Sequence, residues 1–301
     1  MPLEFDFQST TPCELEVLDA MEPYWRKFWG NPSSRSTRIG LTSAAAVNLA
    51  RDQIQDILGL NKYRLIFTSG ATESNNLALL GYARAEAKKR GGPGHLITLT
   101  TEHHAVLDPL RQLKEEGFTL TELYPDPEGR LPLEEFKNAF KNDTFLVSIM
   151  FANNEIGVIQ PMKELAEICR DYKARIHTDA SQVIGYLPID FSEYNFDLIS
   201  ISGHKIYGPK GIGALVVKSD LNLLPLQWGG GQENSLRPGT LPVPLVVGFA
   251  KAVEIAYRDL PFNASKFSSM RNELWQGLIQ SIPDLILNGS LTHRLPNNLN
   301  F

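Results

Sequence analysis

Runs rich in apolar residues and of strand length recur at Arg64–Phe67, His95–Leu99, Thr119–Leu123, Phe145–Phe151, Arg175–Thr178, Asp197–Ile201 and Gly213–Val217. Between them the apolar spacing turns helical. Val47, Ala50, Ile54, Ile57 and Leu58 form one stripe that stops at Gly59, and Leu165, Ile168, Cys169 and Tyr172 form another. Helices that cross between buried strands predict an α/β fold, a mainly parallel central sheet with helices on both faces. After Val217 the pattern changes to a Pro- and Gly-rich loop, Leu224 to Pro244, and then to a long apolar helix from about Val246 to Tyr257. A domain boundary is placed near Leu260. The large domain would span residues 13–260, with residues 1–12 an N-terminal segment associated with a small α+β domain that begins at 261 and is incomplete at 301. That small domain would hold a helix over roughly Ser265 to Ser281 and a short Leu285–Leu287 segment. No internal repeat or low-complexity segment suggests a solenoid or a disordered chain.

Composition narrows the class. With 301 residues and 43% hydrophobic content the chain can bury one large core, and 29 basic against 34 acidic side chains leave a net charge of -5 with no overall basic footprint for nucleic acid or an anionic membrane. Met1 to Gln8 carries Glu4 and Asp6 and lacks the basic and apolar regions of a secretory leader. No apolar run approaches membrane-spanning length. The two cysteines, Cys13 and Cys169, are far apart and form no CxxC pattern, which argues against a disulfide framework or a zinc site and predicts a reducing cytoplasm.

Three strand ends carry candidate chemistry. Ser202-Gly203-His204-Lys205-Ile206-Tyr207-Gly208-Pro209-Lys210-Gly211 follows a buried strand directly and puts Lys205 where α/β proteins build their sites. Lys205 could be a Schiff-base nucleophile if its pKa is lowered and a phosphate-bearing aldehyde is held nearby; otherwise it is a solvated charge in a Gly-rich loop. His177-Thr178-Asp179-Ala180-Ser181-Gln182 ends another strand, and Asp179 there needs a cationic partner, such as a protonated pyridine nitrogen, or else serves as a helix N-cap. Thr68-Ser69-Gly70-Ala71-Thr72-Glu73-Ser74-Asn75-Asn76 turns through Gly70 into a helix whose free N–H groups would attract a phosphate, helped by the Thr72 hydroxyl. It lacks the lysine and spacing of a P-loop, and alone it would be ordinary capping.

Together with Glu102-His103, Asn153-Asn154-Glu155-Ile156-Gly157, the run Ser202 to Leu215, Gly229-Gly230-Gly231-Gln232-Glu233 with Arg237 and Gly239-Thr240, and Thr10-Thr11-Pro12 and Gly30-Asn31-Pro32-Ser33-Ser34 near the start, these segments resemble the cysteine desulfurase family, in the class V aminotransferase group of fold-type I pyridoxal phosphate enzymes. The similarity runs from about residue 4 to the end. It implies a fold-type I PLP-dependent transferase and pyridoxal 5'-phosphate as cofactor. Lys205 would hold the aldehyde, Asp179 the ring nitrogen, and His103 would stack on the ring and move protons; taken alone, His103 reads equally as a packed core histidine, and His104 beside it has no role. Asn154 and Gln182 would lie near the phenolic oxygen, while Ala71, Thr72, Ser202 and His204 would grip the phosphate. Thr240 would reach the phosphate of a neighbouring subunit, so a homodimer is implied. Pro238, where the family more often has serine, departs from the pattern.

In that family L-cysteine becomes L-alanine, and its sulfur leaves as an enzyme persulfide for a sulfur-acceptor or scaffold protein in iron-sulfur cluster or thio-cofactor assembly. The loop with the attacking cysteine, and an arginine for the substrate carboxylate, fall beyond Phe301 by this resemblance. The second expectation is therefore a truncated, catalytically impaired PLP-binding protein. A third is a class V aminotransferase or a selenocysteine lyase. Cys169 sits on an apolar helical stripe and reads as an inert core thiol; Cys13 follows Pro12, where the family has no nucleophile. An unfinished domain would also leave Leu285, Ile286 and Leu287 short of packing, predicting poor solubility unless a partner covers them.

Overall fold

The computed structural model describes residues 3–301; Met1 and Pro2, where the expected N-terminal segment begins, lie outside the described residues. Seven strands form one sheet: β1 (Tyr63–Thr68), β2 (His95–Leu99), β3 (Thr119–Leu123), β4 (Thr144–Ser148), β5 (Arg175–Asp179), β6 (Leu198–Ser202) and β7 (Gly213–Lys218), in spatial order β1-β7-β6-β5-β4-β2-β3. Only β7 runs against its neighbours, antiparallel to both β1 and β6; the other pairs are parallel. The sheet is thus mixed and mainly parallel, as expected. All seven apolar runs read from the sequence are strands.

The period of two along each strand sorts side chains into two cores. Leu65, Phe67, Ile97, Leu99, Val147, Ile176, Ala214 and Val216 face one layer, built from α1 (Leu15–Arg26), α2 (Arg38–Leu58), α6 (Leu133–Asn138), α7 (Met162–Asp171) and α8 (Val243–Ser281). Ile66, Leu96, Leu146, Leu215 and Val217 face the other, where α3 (Ala71–Asn76), a π-helical turn (Leu77–Gly81) and α4 (Tyr82–Arg90) run on without a break beside α5 (His104–Glu115). Covering both faces is what allows the strands to be apolar on both sides.

Two histidines stitch neighbouring strands across this sheet. His95 on β2 bonds through Nδ1 to Thr144 Oγ1 (2.7 Å) and through Nε2 to Thr121 Oγ1 (2.8 Å). His177 on β5 bonds likewise to Ser148 Oγ on β4 (2.8 Å) and Ser200 Oγ on β6 (3.0 Å). A one-residue slip would break these bonds and turn every side chain to the wrong face, so the histidines reinforce the register.

Three boundaries differ from the sequence expectation. The β4 ladder stops at Ser148 rather than Phe151, although Ile149 N–H still donates to His177 O (3.1 Å) and Phe151 N–H to Asp179 O (3.0 Å). The chain there follows β5 after β2, its other neighbour, has ended. Tyr172 lies just past the end of α7 as its C-cap. The two helices expected on either side of Leu260 are one, the 39-residue α8, with Pro261 inside it. Proline in a helix interior removes a hydrogen bond and costs about 3 kcal/mol, which is why the sequence suggests a break. Packing on both sides spans it: Leu260 is buried just before Pro261, and beyond it Phe267 lies 6.3 Å from the Tyr186 ring and Trp275 is buried.

The last stretch, 282–301, forms no strand but is tied down by Arg294. Its guanidinium donates to Ser290 O (2.9 Å), Asn298 Oδ1 (2.8 Å) and Asn288 O, and burial with Arg271 nearby lowers its pKa to about 10. Of the three apolar residues expected to be short of packing, Ile286 is exposed while Leu285 and Leu287 are half-buried. No helix among the described residues is long and apolar enough to cross a membrane.

Candidate active site

The carboxyl ends of β1, β4, β5 and β6 lie at one edge of the sheet, where the loops that leave them close around a cavity of about 730 Å³. That edge is where open α/β sheets bind ligands, and the volume is that of a small-molecule site. Of the residues singled out from the sequence, Ala71, Thr72, His103, Asn154, Asp179, Gln182, Ser202, His204 and Lys205 all line it; Thr240 does not. No cluster of His, Cys, Asp or Glu suited to a metal ion occurs among the described residues.

Lys205 closes a single 3₁₀ turn, Gly203–Lys205, that follows β6. Its Nζ donates to the backbone carbonyls of Gln8 (2.6 Å) and Ser9 (2.9 Å), so the N-terminal segment lies against the amine. Burial lowers the Lys205 pKa below the usual lysine range, opposed by the charges of Asp179, Asp6 and Glu155. A desolvated amine gives up its proton more readily, as a nucleophilic lysine must.

Asp179 ends β5. Its Oδ1 accepts from Ser181 N–H (2.9 Å) and its Oδ2 from Asn75 Nδ2 (2.7 Å), which fixes the rotation of the carboxyl group. Each oxygen keeps a lone pair for a further donor. His103 is the N-cap of α5, where its Nδ1 accepts from Ala105 N–H (3.0 Å). In the neutral ring the proton therefore sits on Nε2. His104, in contrast, is exposed, 3.6 Å from Asp108.

The β1–α3 turn is shaped by backbone freedom and close approach. Gly70, the N-cap of α3, has φ 149° and offers no side-chain cap. A Cβ on Gly213, the first residue of β7, would meet Gly70 Cα at 2.8 Å and Ile201 O at 2.5 Å, so only glycine lets these segments touch. One turn on, Glu73 is half-buried, which pushes its pKa up, but the pairing with Arg237 (2.9 Å) and the Ser69 N–H bond (2.6 Å) bring it below the usual carboxylate value. The His204 Nδ1 lies 3.1 Å from Thr10 Oγ1, and burial, with Lys205 and Lys210 beside it, lowers its pKa. Gln182 Nε2 donates to Gln8 O (3.1 Å) and Asn154 Nδ2 to Glu155 Oε1 (2.8 Å).

Three residues that line the cavity each carry a buried polar atom with no hydrogen-bond partner among the described residues: Ser202 Oγ, Ser181 Oγ and Asn75 Oδ1. Each unmade hydrogen bond costs about 1–3 kcal/mol, so their gathering in one cavity points to a polar ligand. Pyridoxal phosphate matches the set. It offers an aldehyde for Lys205, a protonatable ring nitrogen for Asp179 and phosphate oxygens for the Ser202 hydroxyl and the β1–α3 turn, so the residues present fit the group.

Some contributors carried no sequence signal of their own. Gln8 and Ser9 reach Lys205 through backbone carbonyls, which any residue type supplies. Lys210 and Ser181 line the cavity within motifs quoted for their neighbours. Asn75 could have been found by spacing, since it lies four residues after Ala71 and so on the same helix face.

Comparison with known proteins follows the same line. The family described as Aminotransferase class-V matches residues 4–301. The chain is 48% identical over 289 residues to a mitosomal cysteine desulfurase of Trachipleistophora hominis, covering 95% of this chain and 65% of that protein. It is 46% identical over 302 residues to the cysteine desulfurase IscS of Rickettsia typhi, covering 100% and 73%. Among solved structures, a NifS-like protein superposes with a TM-score of 0.95 at 36% identity, over 99% of this chain and 81% of that one. The chain thus spans just under two thirds, 65%, of the length of the first of these relatives.

Proposed function

We propose that this chain, which belongs to the class V aminotransferase family among its cysteine desulfurases, acts as a PLP-dependent cysteine desulfurase that converts L-cysteine to L-alanine and passes the sulfur on as an enzyme persulfide. Pyridoxal 5'-phosphate is the cofactor of the family. The observation that carries the reading is the convergence, in one cavity, of a desolvated lysine, a carboxylate held by two N–H donors and three unpartnered buried polar atoms. When bound, the cofactor supplies an electron sink for bond breaking at the substrate's α-carbon.

The chain's own residues then have distinct tasks. Lys205 would hold the cofactor's aldehyde carbon; its Nζ, which donates to the Gln8 and Ser9 carbonyls, gives up a proton more readily because it is buried. Asp179 receives the ring N–H on a lone pair left open by Asn75 and Ser181. His103 would lie against the ring with Nε2 available to move a proton, since Nδ1 accepts from Ala105 N–H. Asn154 and Gln182 serve the phenolic oxygen. Ala71, Thr72, Ser202 and His204 hold the phosphate, and Thr240, outside its own cavity, serves the cavity of a second subunit in a homodimer.

Iron-sulfur cluster or thio-cofactor assembly would use the sulfur through an acceptor protein, in a reducing compartment such as the cytoplasm, where Cys13 and Cys169 stay as the free thiols they are. The division into residues 1–12, 13–260 and 261–301 belongs to the same reading. It is supported by the bond from Asn298 Nδ2 to Gln8 Oε1 (2.6 Å), which ties the N-terminal segment to the last residues.

A second reading, a PLP-binding chain without a sulfur nucleophile of its own, is favoured by where the two thiols lie. Neither lines the cavity, Cys169 is buried, and burial raises the pKa of both. The experiment is PLP titration followed by L-cysteine, with alanine and sulfide assayed and Lys205→Ala as control. A Lys205-dependent visible band with both products supports the desulfurase. The band without products supports the second reading, and no band overturns both.

A further inference from the structure

Asn75 lies in the β1–α3 motif, yet the roles assigned so far leave it without a task. It is fully buried at 0% exposure, lines the cavity and sits one turn into α3 from the phosphate-binding end. We propose that Asn75 is the positioning residue for Asp179, fixing the rotation of its carboxylate so that an open lone pair meets the ring nitrogen of pyridoxal phosphate. The inference rests on the cofactor reading of Asp179 given above.

The geometry leaves the amide one orientation. A carboxylate only accepts, so the group 2.7 Å from Asp179 Oδ2 must be Asn75 Nδ2, and Oδ1 must point the other way. That Oδ1 is buried with no protein partner. The second carboxylate oxygen accepts from Ser181 N–H at 2.9 Å, and Ser181 Oγ in turn has no partner. Asp179 is thus clamped by one donor on each oxygen, and each clamping residue, itself part of the cavity lining, keeps one buried polar atom without a partner among the described residues. The clamp also joins two parts of the site: α3 begins at the phosphate cradle and, one turn later, holds the carboxylate at the end of β5. Phosphate and ring nitrogen are therefore located by one rigid element.

The test is PLP titration of the full chain, followed by visible absorbance and Trp fluorescence across pH. Asn75→Leu keeps the branched outline of the side chain and removes the donor. Loss of one hydrogen bond to a charged group predicts roughly tenfold weaker PLP binding or more, together with a displaced pH dependence of the bound cofactor's visible band. In Asn75→Asp the two neighbouring carboxyl groups share a proton at low pH, and the protonated one can donate O–H in the amide's place. Its affinity should recover as the pH is lowered and fall as it is raised. Asn75→Leu with wild-type affinity and an unmoved pH profile would overturn the inference. Should that variant not fold, wild-type affinity at every pH in Asn75→Asp would overturn it equally. A wild-type chain that binds no PLP overturns the cofactor reading and this inference with it, an outcome distinct from a silent Asn75 substitution.

Discussion

Lowering the pH should unstitch the sheet at His95. This residue is fully buried, and burial, reinforced by the charge of Lys141 and opposed by Asp143, lowers its pKa from 6.5 to about 4. The folded chain thus resists a proton that the unfolded chain accepts. Stability from the neutral ring is fully present above pH 6.5 and is lost as the pH falls towards 4. Between pH 7 and pH 5 the unfolded histidine becomes almost fully protonated while the folded one stays mostly neutral, a difference worth about 2 kcal/mol. Other groups titrate in the same range, including His177, whose pKa burial also lowers, so the informative quantity is a difference between proteins. His95→Gln keeps a hydrogen-bonding side chain and removes the titration. Urea unfolding followed by Trp fluorescence at pH 7 and pH 5 should show the wild type losing about 2 kcal/mol more than the variant. Equal losses in the two proteins would refute the assignment of this acid sensitivity to the strand-bridging imidazole.

Two further substitutions probe how the site is supported. Gly213→Ala would bring a Cβ to 2.8 Å from Gly70 Cα and 2.5 Å from Ile201 O, which must push the β1–α3 turn outward. Roughly tenfold weaker PLP binding is expected by titration, with about 1–3 kcal/mol of lost stability by urea unfolding. Glu233 anchors a turn in which Glu233, Asn234 and Ser235 all have positive φ (47°, 56° and 63°), a strained left-handed stretch. Its carboxylate pairs with Arg51 (2.7 Å) and accepts from Phe67 N–H (2.8 Å), so Glu233→Ala should cost about 2 kcal/mol or more in urea unfolding and open the loop before Thr240 to proteolysis.

Most of the strands were legible as short runs rich in apolar residues, and their period of two shows in which core each buried apolar residue joins. The parallel plan followed from the helical stripes between them. The three chemical motifs were legible because Lys205, Asp179 and Gly70 each stand at a strand end, where residue type and position speak together. What was hidden depends on contacts between distant segments. Pro261 suggests a helix end, and only the packing of Leu260, Phe267 and Trp275 carries α8 through it. The Lys205 contact with Gln8 and Ser9 runs through backbone atoms 197 and 196 residues away, and the Arg51–Glu233 pair joins residues 182 apart. No local pattern encodes either.

The central claim is that Lys205 is the residue that carries pyridoxal phosphate in this cavity. The most direct test is to incubate the full chain with PLP, fix the adduct with borohydride, digest and map the modified lysine by mass spectrometry. The account predicts a pyridoxyl group on Lys205 at near-stoichiometric yield, absent from Lys205→Ala. Labelling at Lys210 or scattered over surface lysines, with Lys205 unmodified, would contradict it.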